Sequence, residues 1–319
     1  MYAPPVTVIA LSPVDALEVL ILVDNVSDAL LASGESARRP LLSLDPRRDQ
    51  LLAEHGYSLL LTVAQDGAKQ SILYDAGFSR RTAAHNLHVL GVAVNELRAI
   101  VLSHGHADHH GGVSGLVERV GRRGLPLVLH PDAWLERKLV FPDGHEIAAP
   151  APSHNDLDRE GVTLIEERGP TMLIDGTVLV TGQVERCTDF ERGFPIQYRR
   201  RGHDWEPDYM VWDDQGVIVH VKDKGLVVMS SCSHSGVINV LWNAQRLTGV
   251  HKLHAFVGGL HLSGVIMEPV IPRTLEEIGA LDIDHLVPGH CTGWKAAHQL
   301  ARLFPGAFIQ SSVGTVLRF

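Results

Sequence analysis

The stretch at residues 102–112 reads Leu-Ser-His-Gly-His-Ala-Asp-His-His-Gly-Gly, with three histidines and one aspartate within positions 104–109. The apolar run just before it, at 97–102, predicts a buried strand. The two glycines and the residues from Val113 onward predict the start of a helix. The stretch therefore lies on a loop between the carboxyl end of a strand and a helix, where α/β proteins place binding and catalytic groups.

Four side chains in this stretch are of types that bind metal ions: His104, His106, Asp108 and His109. The first two are two residues apart, so a tight turn can bring both to one point. Asp108 and His109 are adjacent and diverge, which suits a second point nearby. Neutral imidazole and carboxylate are ligands for Zn²⁺, Mn²⁺ or Fe. A polar surface loop is the alternative, but four such residues at fixed offsets between a strand and a helix favour a metal site.

Three more histidines follow predicted buried strands later in the chain: His234, His261 and His290. One histidine at a strand end is usually an ordinary polar residue, whereas four strand ends with a histidine at each favour a shared metal site. The repetition predicts two β-sheets packed face to face, with the ligands converging at one edge.

The pattern His-x-His-x-Asp-His at 104–109, followed by two glycines, resembles the signature of the metallo-β-lactamase fold superfamily. The resemblance implies an α/β fold, an αββα sandwich of two mixed β-sheets packed face to face with helices on the outer faces. It further implies one or two divalent metal ions, with Zn²⁺ favoured over Mn²⁺ or Fe. The implied ligands are His104, His106 and His234 for the first ion, and Asp108, His109 and His290 for the second.

Segments across nearly the whole chain resemble one branch of that superfamily, the dihydropterin-ribofuranosylaminobenzene-phosphate synthase-like branch. Its name is a poor guide to the substrate. The matching segments are 22–25, 104–109, 188–191, 213–215, 232–236, 258–262 and 288–293.

His261 departs from the wider superfamily, in which the matching strand end carries an aspartate that bridges two metals in many hydrolases. A neutral imidazole has one lone pair for a metal and cannot bridge two ions. His261 is therefore a ligand of one ion, an acid or base, or a substrate contact. For catalysis we assign Asp108 to steering the nucleophile and His261 to protonating the leaving group. Cys232 and Cys291 flank ligand positions, and we interpret them as small apolar filler in preference to ligands.

The chain has 319 residues, of which 45% are hydrophobic and 20% charged, as in soluble globular enzymes. The net charge of −9 offers no broad basic face, so we expect no nucleic-acid partner. Three cysteines without a Cys-x-x-Cys pair predict a reducing compartment, and we expect a cytoplasmic protein. The start of the chain lacks the features of a signal peptide, and no apolar run approaches the roughly 20 residues of a membrane span, so no membrane partner is expected.

We interpret the chain as one domain, 1–319, built of two strand-rich halves at about 1–160 and 161–319. The predicted function is a metallo-hydrolase that directs a metal-activated hydroxide at a small anionic substrate, a phosphoester or related ester. A di-iron-type oxidoreductase and a catalytically silent ligand-binding member of the fold are the alternatives. A homodimer is one candidate for the oligomeric state, which stays open.

Several local predictions bear on the site. Asp75, at the end of a predicted strand, is expected to orient a ligand histidine, with helix capping as the alternative. Helices are predicted at 80–96 and 134–138, and an irregular connection at 141–160. The segment 198–205 is interpreted as a charged loop whose arginines, Arg199, Arg200 and Arg201, either face solvent or grip an anionic substrate.

Overall fold

The computed structural model of the protein describes residues 8–41, 43, 45–94 and 96–319. Its strands in chain order are β1 (Ala16–Val23), β2 (Ala37–Arg38), β3 (Ser58–Gln65), β4 (Ala68–Tyr74), β5 (Leu97–Val101), β6 (Pro126–Leu129), β7 (Arg137–Val140), β8 (Glu146–Ala149), β9 (Thr163–Glu166), β10 (Thr171–Leu173), β11 (Val178–Val180), β12 (Gln197–Arg201), β13 (Asp204–Pro207), β14 (Val217–Val221), β15 (Gly225–Ser230), β16 (Leu253–Gly258), β17 (His285–Pro288) and β18 (Val316–Arg318).

The α-helices are α1 (Thr82–Val89), α2 (Ala107–His110), α3 (Val113–Val120), α4 (His154–Glu160), α5 (Val237–Thr248), α6 (Ile271–Ala280) and α7 (Trp294–Leu303). Short 3₁₀ helices lie at Pro131–Trp134, Ile174–Gly176, Glu268–Val270 and His290–Thr292.

The described strands form three sheets. The first has the order β2-β18-β1-β3-β4-β5-β6-β9, and the second has the order β10-β11-β14-β15-β16-β17. A small third sheet has the order β13-β12-β7-β8. The two large sheets are mixed, because hairpins such as β3–β4 are antiparallel while β4–β5–β6 and β15–β16–β17 are parallel.

The alternation of side chains along the strands explains the layering. In β1, Val19 and Ile21 lie in the core between the two large sheets, whereas Leu20 and Leu22 pack under α1 and α3. Strand β15 alternates in the same way between the inter-sheet core and the layer of α5, α6 and α7. Burying one such side chain stabilises the fold by about 1.5–3 kcal/mol. The predicted αββα sandwich is confirmed.

The parallel strands place the candidate site. Strands β4, β5, β15, β16 and β17 end at one edge of the sandwich, and each is followed directly by a residue or motif that the sequence analysis singled out. The connection after β5 is short and enters α2, as predicted for the stretch at 102–112.

The prediction of a helix at 134–138 was wrong. A 3₁₀ turn ends at Trp134, and β7 begins at Arg137 and pairs with β12, where Leu139 stands opposite Gln197. Tertiary pairing overrides local propensity here, because the extended backbone carries the Arg137 side chain into a fully buried set of ion pairs. The segment 141–160, predicted as irregular, contains β8 and α4.

Two boundaries also differ from the prediction. The strand at 163–166, expected to open the second half, pairs with β6 in the first sheet, and the second sheet begins at β10. The helix predicted at 80–96 ends at Val89, because Gly91, with φ of 65°, takes a left-handed conformation that a helix does not continue. Asn95 lies outside the described residues.

Among the described residues, none of the helices combines the length and the apolar character that crossing a membrane requires. The expectation that the chain starts without a signal peptide concerns residues 1–7, which lie outside the described part.

Candidate metal centre

Three imidazoles form what we call the first triad: His104, His106 and His234. The loop after β5 carries the first two, and Nε2 of His104 is 2.9 Å from Nδ1 of His106. The ring of His234, which follows β15, has its centroid 4.8 Å from each of the other two rings. The loop can lie this close to the body of the protein because Gly105 has no side chain, since a Cβ there would collide with the carbonyl of Ala133.

The second triad consists of Asp108, His109 and His290. Oδ2 of Asp108 is 3.6 Å from Nε2 of His109 and 3.3 Å from Nε2 of His290. Two nitrogen or oxygen ligands at roughly 2.0–2.1 Å from a tetrahedral ion stand about 3.3 Å apart. The two distances from Oδ2 of Asp108 therefore match the spacing of two ligands on one ion.

Buried nitrogens without partners support this interpretation. Within the described part of the chain, Nε2 of His109 and both ring nitrogens of His234 and of His290 are buried and have no hydrogen-bond partner. Leaving one such group unpaired costs about 1–3 kcal/mol, which a bound cation would offset. The residues present therefore fit a divalent metal ion.

The two triads differ in protonation. Burial lowers the pKa of His104 and of His234 well below the usual value, and it lowers the pKa of His106 to about 4. The pKa of His109 instead rises to about 9, because the charges of Asp108 and of Asp75 outweigh the opposing effect of burial. The first triad is therefore neutral near pH 7, as metal binding requires, whereas His109 must lose a proton.

Asp75 holds residues of both triads from behind. Its Oδ2 accepts hydrogen bonds from Nδ1 of His109 and from Oγ of Ser103, each at 2.7 Å. The hydroxyl of Ser103 lies 2.8 Å from Nδ1 of His104. The expected role of Asp75 in orienting a ligand histidine agrees with this geometry, and α1 begins after Arg81 without a cap from Asp75.

The sequence analysis missed two supports that the third sheet supplies. Nε2 of His106 donates to Oε1 of Gln197 on β12, at 2.6 Å, which leaves Nδ1 unprotonated and directed at His104 and the first triad. Arg137 on β7 is buried between Asp208 and Asp213, and Oδ2 of Asp213 accepts the backbone N–H of Gly105 at 2.8 Å. For Asp213, the sequence offered one signal, because the segment 213–215 resembles the synthase-like branch. The sequence offered no signal for Gln197.

His261 lies beside the first triad, half-buried, with its ring centroid 4.1 Å from that of His234. Its Nε2 is buried without a partner, and its Nδ1 is 3.5 Å from Sγ of Cys232. A left-handed backbone is rare outside glycine, yet it recurs at four strand ends around the site. These residues are Asp75 (φ 62°), Ser233 (φ 53°), His261 (φ 48°) and His290 (φ 49°).

The arginine cluster does not face the triads. Residues 197–207 form the hairpin β12–β13, not a loop, because β12 pairs with β7 on its other side. Arg199 and Arg201 pair with Glu206 at 2.8 and 3.4 Å, and Arg200 pairs with Glu136 at 3.0 Å. The hypothesis that these arginines grip the substrate finds no support in their positions.

A cavity of about 310 Å³ opens beside His234 and His261. The exposed side chain of Arg192 lies at its border. Most of its other walls are apolar or aromatic: Phe190, Leu260, Leu262, Ile266, Met267 and Val270.

Comparison with known proteins identifies the class. Residues 54–238 match the metallo-beta-lactamase superfamily, and the chain belongs to that superfamily. The solved structure of Tm1679, described as a metal-dependent hydrolase of the beta-lactamase superfamily, superposes with a TM-score of 0.70 at 23% identity, over 95% of this chain and 98% of that one.

Two curated proteins of Methanocaldococcus jannaschii are similar over most of their length. One, named 7,8-dihydropterin-6-methyl-4-(beta-D-ribofuranosyl)-aminobenzene-5'-phosphate synthase, is 26% identical over 84% of this chain and 90% of its own. An uncharacterized protein is 30% identical over 84% of this chain and 94% of its own. The predicted superfamily and the resemblance to the synthase-like branch are confirmed.

Proposed function

We propose that the protein is a metal-dependent hydrolase of a small anionic ester, with phosphoesters as the favoured class. The observation that carries the proposal is the pair of adjacent triads, in which Nε2 of His109 and both ring nitrogens of His234 and of His290 are buried without a hydrogen-bond partner. The rings of His104 and His109, one from each triad, have centroids 4.3 Å apart, so two cations held there would act on one substrate group.

A divalent ion in either triad supplies Lewis acidity, which stabilises negative charge on oxygen and lowers the pKa of bound water to about 7. Asp108 contributes a carboxylate whose surroundings keep it charged: burial would raise its pKa, but the interactions with His109 and His290 outweigh burial and hold the pKa well below the usual value. It can therefore accept a hydrogen bond from the attacking water and orient it. His261 borders the cavity with an unpartnered nitrogen, so it can pass a proton to the departing oxygen.

The cavity supports an organic substrate with an anionic group. Its apolar walls suit a ring or an alkyl portion, while His234, at the edge of the first triad, and Arg192 lie where an anionic group would bind. The carboxyl group of Glu191, which also lines the cavity, offers an anion no such contact and accepts hydrogen bonds from the backbone N–H groups of Ile238 and Asn239. Since the ring and phosphate in the name of the M. jannaschii relative belong to that protein, they serve here as a guide for choosing probes.

The test is a panel of phosphomonoesters, phosphodiesters and carboxylic esters carrying aryl or alkyl groups. Purified protein stripped of metal would be reloaded with Zn²⁺, Mn²⁺ or Fe²⁺ and assayed. We expect turnover of at least one phosphoester that depends on the metal, and a fall of about 100-fold or more in kcat for His261→Asn. Metal-loaded protein that hydrolyses none of these esters would refute the proposal.

A synthase reaction is the second candidate, because one relative with 90% of its length matched carries that name. Metal-loaded protein would be incubated with a ribofuranosyl-aminobenzene 5'-phosphate and a 7,8-dihydropterin that carries a leaving group, such as a diphosphate, on its 6-methyl carbon. Mass spectrometry would then show the joined product and the released diphosphate. A di-iron oxidoreductase would instead show a visible absorption band after anaerobic purification, and a silent binding protein would show neither product.

A further inference from the structure

We propose that Cys232 is a sulfur ligand shared by the two triads, in the position between them where a bridging carboxylate would otherwise act. This inference rests on the proposed metal centre. It concerns a residue that the sequence analysis interpreted as apolar filler, and the reason for the change is where its sulfur lies.

The Cys232 sulfur belongs to two ligand groups at once. It lies within 4.8 Å of ligand nitrogens of His104 and His234, and also within 4.8 Å of ligand nitrogens of His109 and His290. A sulfur at roughly 2.3 Å and a nitrogen at roughly 2.0–2.1 Å from a common tetrahedral ion stand about 3.6 Å apart.

The backbone fixes this placement. Ser233 adopts a left-handed conformation with φ of 53°, so the chain turns sharply between Cys232 and His234. The Ser233 hydroxyl donates to Oγ of Ser230 at 2.9 Å, which anchors the turn to the end of β15. Both neighbours of Ser233 are buried, so the thiol points into the protein beside the triads and not into solvent.

A ligand atom shared by two ions must have more than one lone pair available. His261 stands at the strand end where an aspartate would bridge, and an imidazole cannot contact two ions with one lone pair. A thiolate sulfur has more than one lone pair and binds Zn²⁺ strongly. His261 approaches Sγ of Cys232 at 3.5 Å through Nδ1, so it can hold the sulfur by a hydrogen bond.

Cys291 offers an alternative sulfur ligand next to Cys232. Its sulfur lies 3.1 Å from that of Cys232, and the two thiols and His261 also form a possible ligand group. In the proposed arrangement Cys291 supports the sulfur of Cys232 and does not itself bind an ion of the triads. A separate metal site made of the two cysteines and His261 is therefore the competing outcome.

The test uses cobalt spectroscopy on the full chain. Metal-free protein, kept reduced and anaerobic, is titrated with Co²⁺ while the thiolate-to-cobalt charge-transfer absorption is recorded in the near ultraviolet. We expect the band in the wild type, its loss in Cys232→Ser, and its retention in Cys291→Ser. Cys187→Ser, at an exposed cysteine, is the matched control and should retain the band. The Cys232→Ser protein should also bind cobalt more than about tenfold more weakly.

The outcomes separate this inference from the function on which it rests. Two equivalents of cobalt bound by the wild type without the band would overturn the sulfur ligand and leave the metal centre intact. Loss of the band in Cys291→Ser together with a third equivalent in the wild type would assign the sulfurs to a separate site. Absence of cobalt binding would overturn both proposals. If Cys232→Ser fails to fold, retention of the band in both Cys291→Ser and Cys187→Ser still assigns the thiolate to Cys232, because the chain has three cysteines.

Discussion

The two triads lie side by side but differ in charge and in their supports. The first triad is made of three neutral imidazoles, and neutral groups orient two of them, Ser103 and Gln197. The second contains the carboxylate of Asp108, and a further carboxylate, Asp75, backs its His109. Because hard cations prefer oxygen and negative charge, the second triad suits Mn²⁺ or Fe²⁺, while the first suits Zn²⁺. If the proposed metal centre binds two ions, we therefore expect them to differ in kind.

The largest effect should come from Arg137→Met, which breaks the support of the first triad only. Removing this buried guanidinium leaves Asp208 and Asp213 without their partner, and we expect the free energy of unfolding to fall by about 3–5 kcal/mol. Urea unfolding measures this change in the free energy of unfolding. Arg200→Met is the matched control, because its ion pair with Glu136 is exposed and should contribute less than about 1 kcal/mol.

The Arg137→Met protein should also bind the first ion more weakly, since Asp213 holds the N–H of Gly105 between two of the first triad's histidines. Equal weakening of both ions would show that the triads do not have separate supports.

Asp108→Asn should break the second triad in the same selective way. The amide keeps the shape of the side chain but removes the negative charge that faces His109 and His290. We expect affinity for the second ion to fall by more than about 100-fold, a loss beyond that of a supporting residue, while the first ion binds as before. Titration against a competing chelator measures both affinities. Asp143→Asn, at an exposed aspartate, is the control, and a loss of both ions would contradict the comparison.

The pH dependence of metal binding should separate the triads as well. The pKa of His109 is about 9, because Asp108 and Asp75 outweigh burial, so its proton must leave when an ion binds. Between pH 6 and pH 8, affinity at the second triad should therefore rise by about 100-fold. The first triad should change little, because burial lowers the pKa of His106 to about 4. Calorimetric titrations at several pH values measure the slopes, and parallel slopes would refute the assignment.

The smallest effect is expected for Gln197→Ala. This change removes the acceptor that fixes the ring of His106 and should weaken binding of the first ion by about tenfold. Titration against a competing chelator measures the affinity for the first ion. Gln50→Ala, at an exposed glutamine, should change nothing. A weakening confined to the second ion would contradict the assignment of Gln197 to the support of the first triad.

Most of the fold could be predicted because its signals are local. The apolar runs of β1, β5, β15 and β16 alternate or stay apolar as buried strands do, and a histidine or an aspartate follows several of them. The third sheet could not be predicted, because its short strands carry no clear apolar pattern and β7, besides its hairpin with β8, pairs with β12, about 60 residues away in the chain. The same pairing explains why Gln197 and Arg137 were missed.

The superfamily, the layered fold and the identity of the candidate ligands could be read from local patterns, because each ligand follows a strand whose hydrophobic pattern is complete within a few residues. Tertiary structure alone decided which atoms face each other: Asp75 behind His109, Gln197 behind His106, and the sulfur of Cys232 between the triads. These contacts join segments far apart in the chain. Distance between side chains, and with it the protonation state of each imidazole, is a property of packing that no local pattern records.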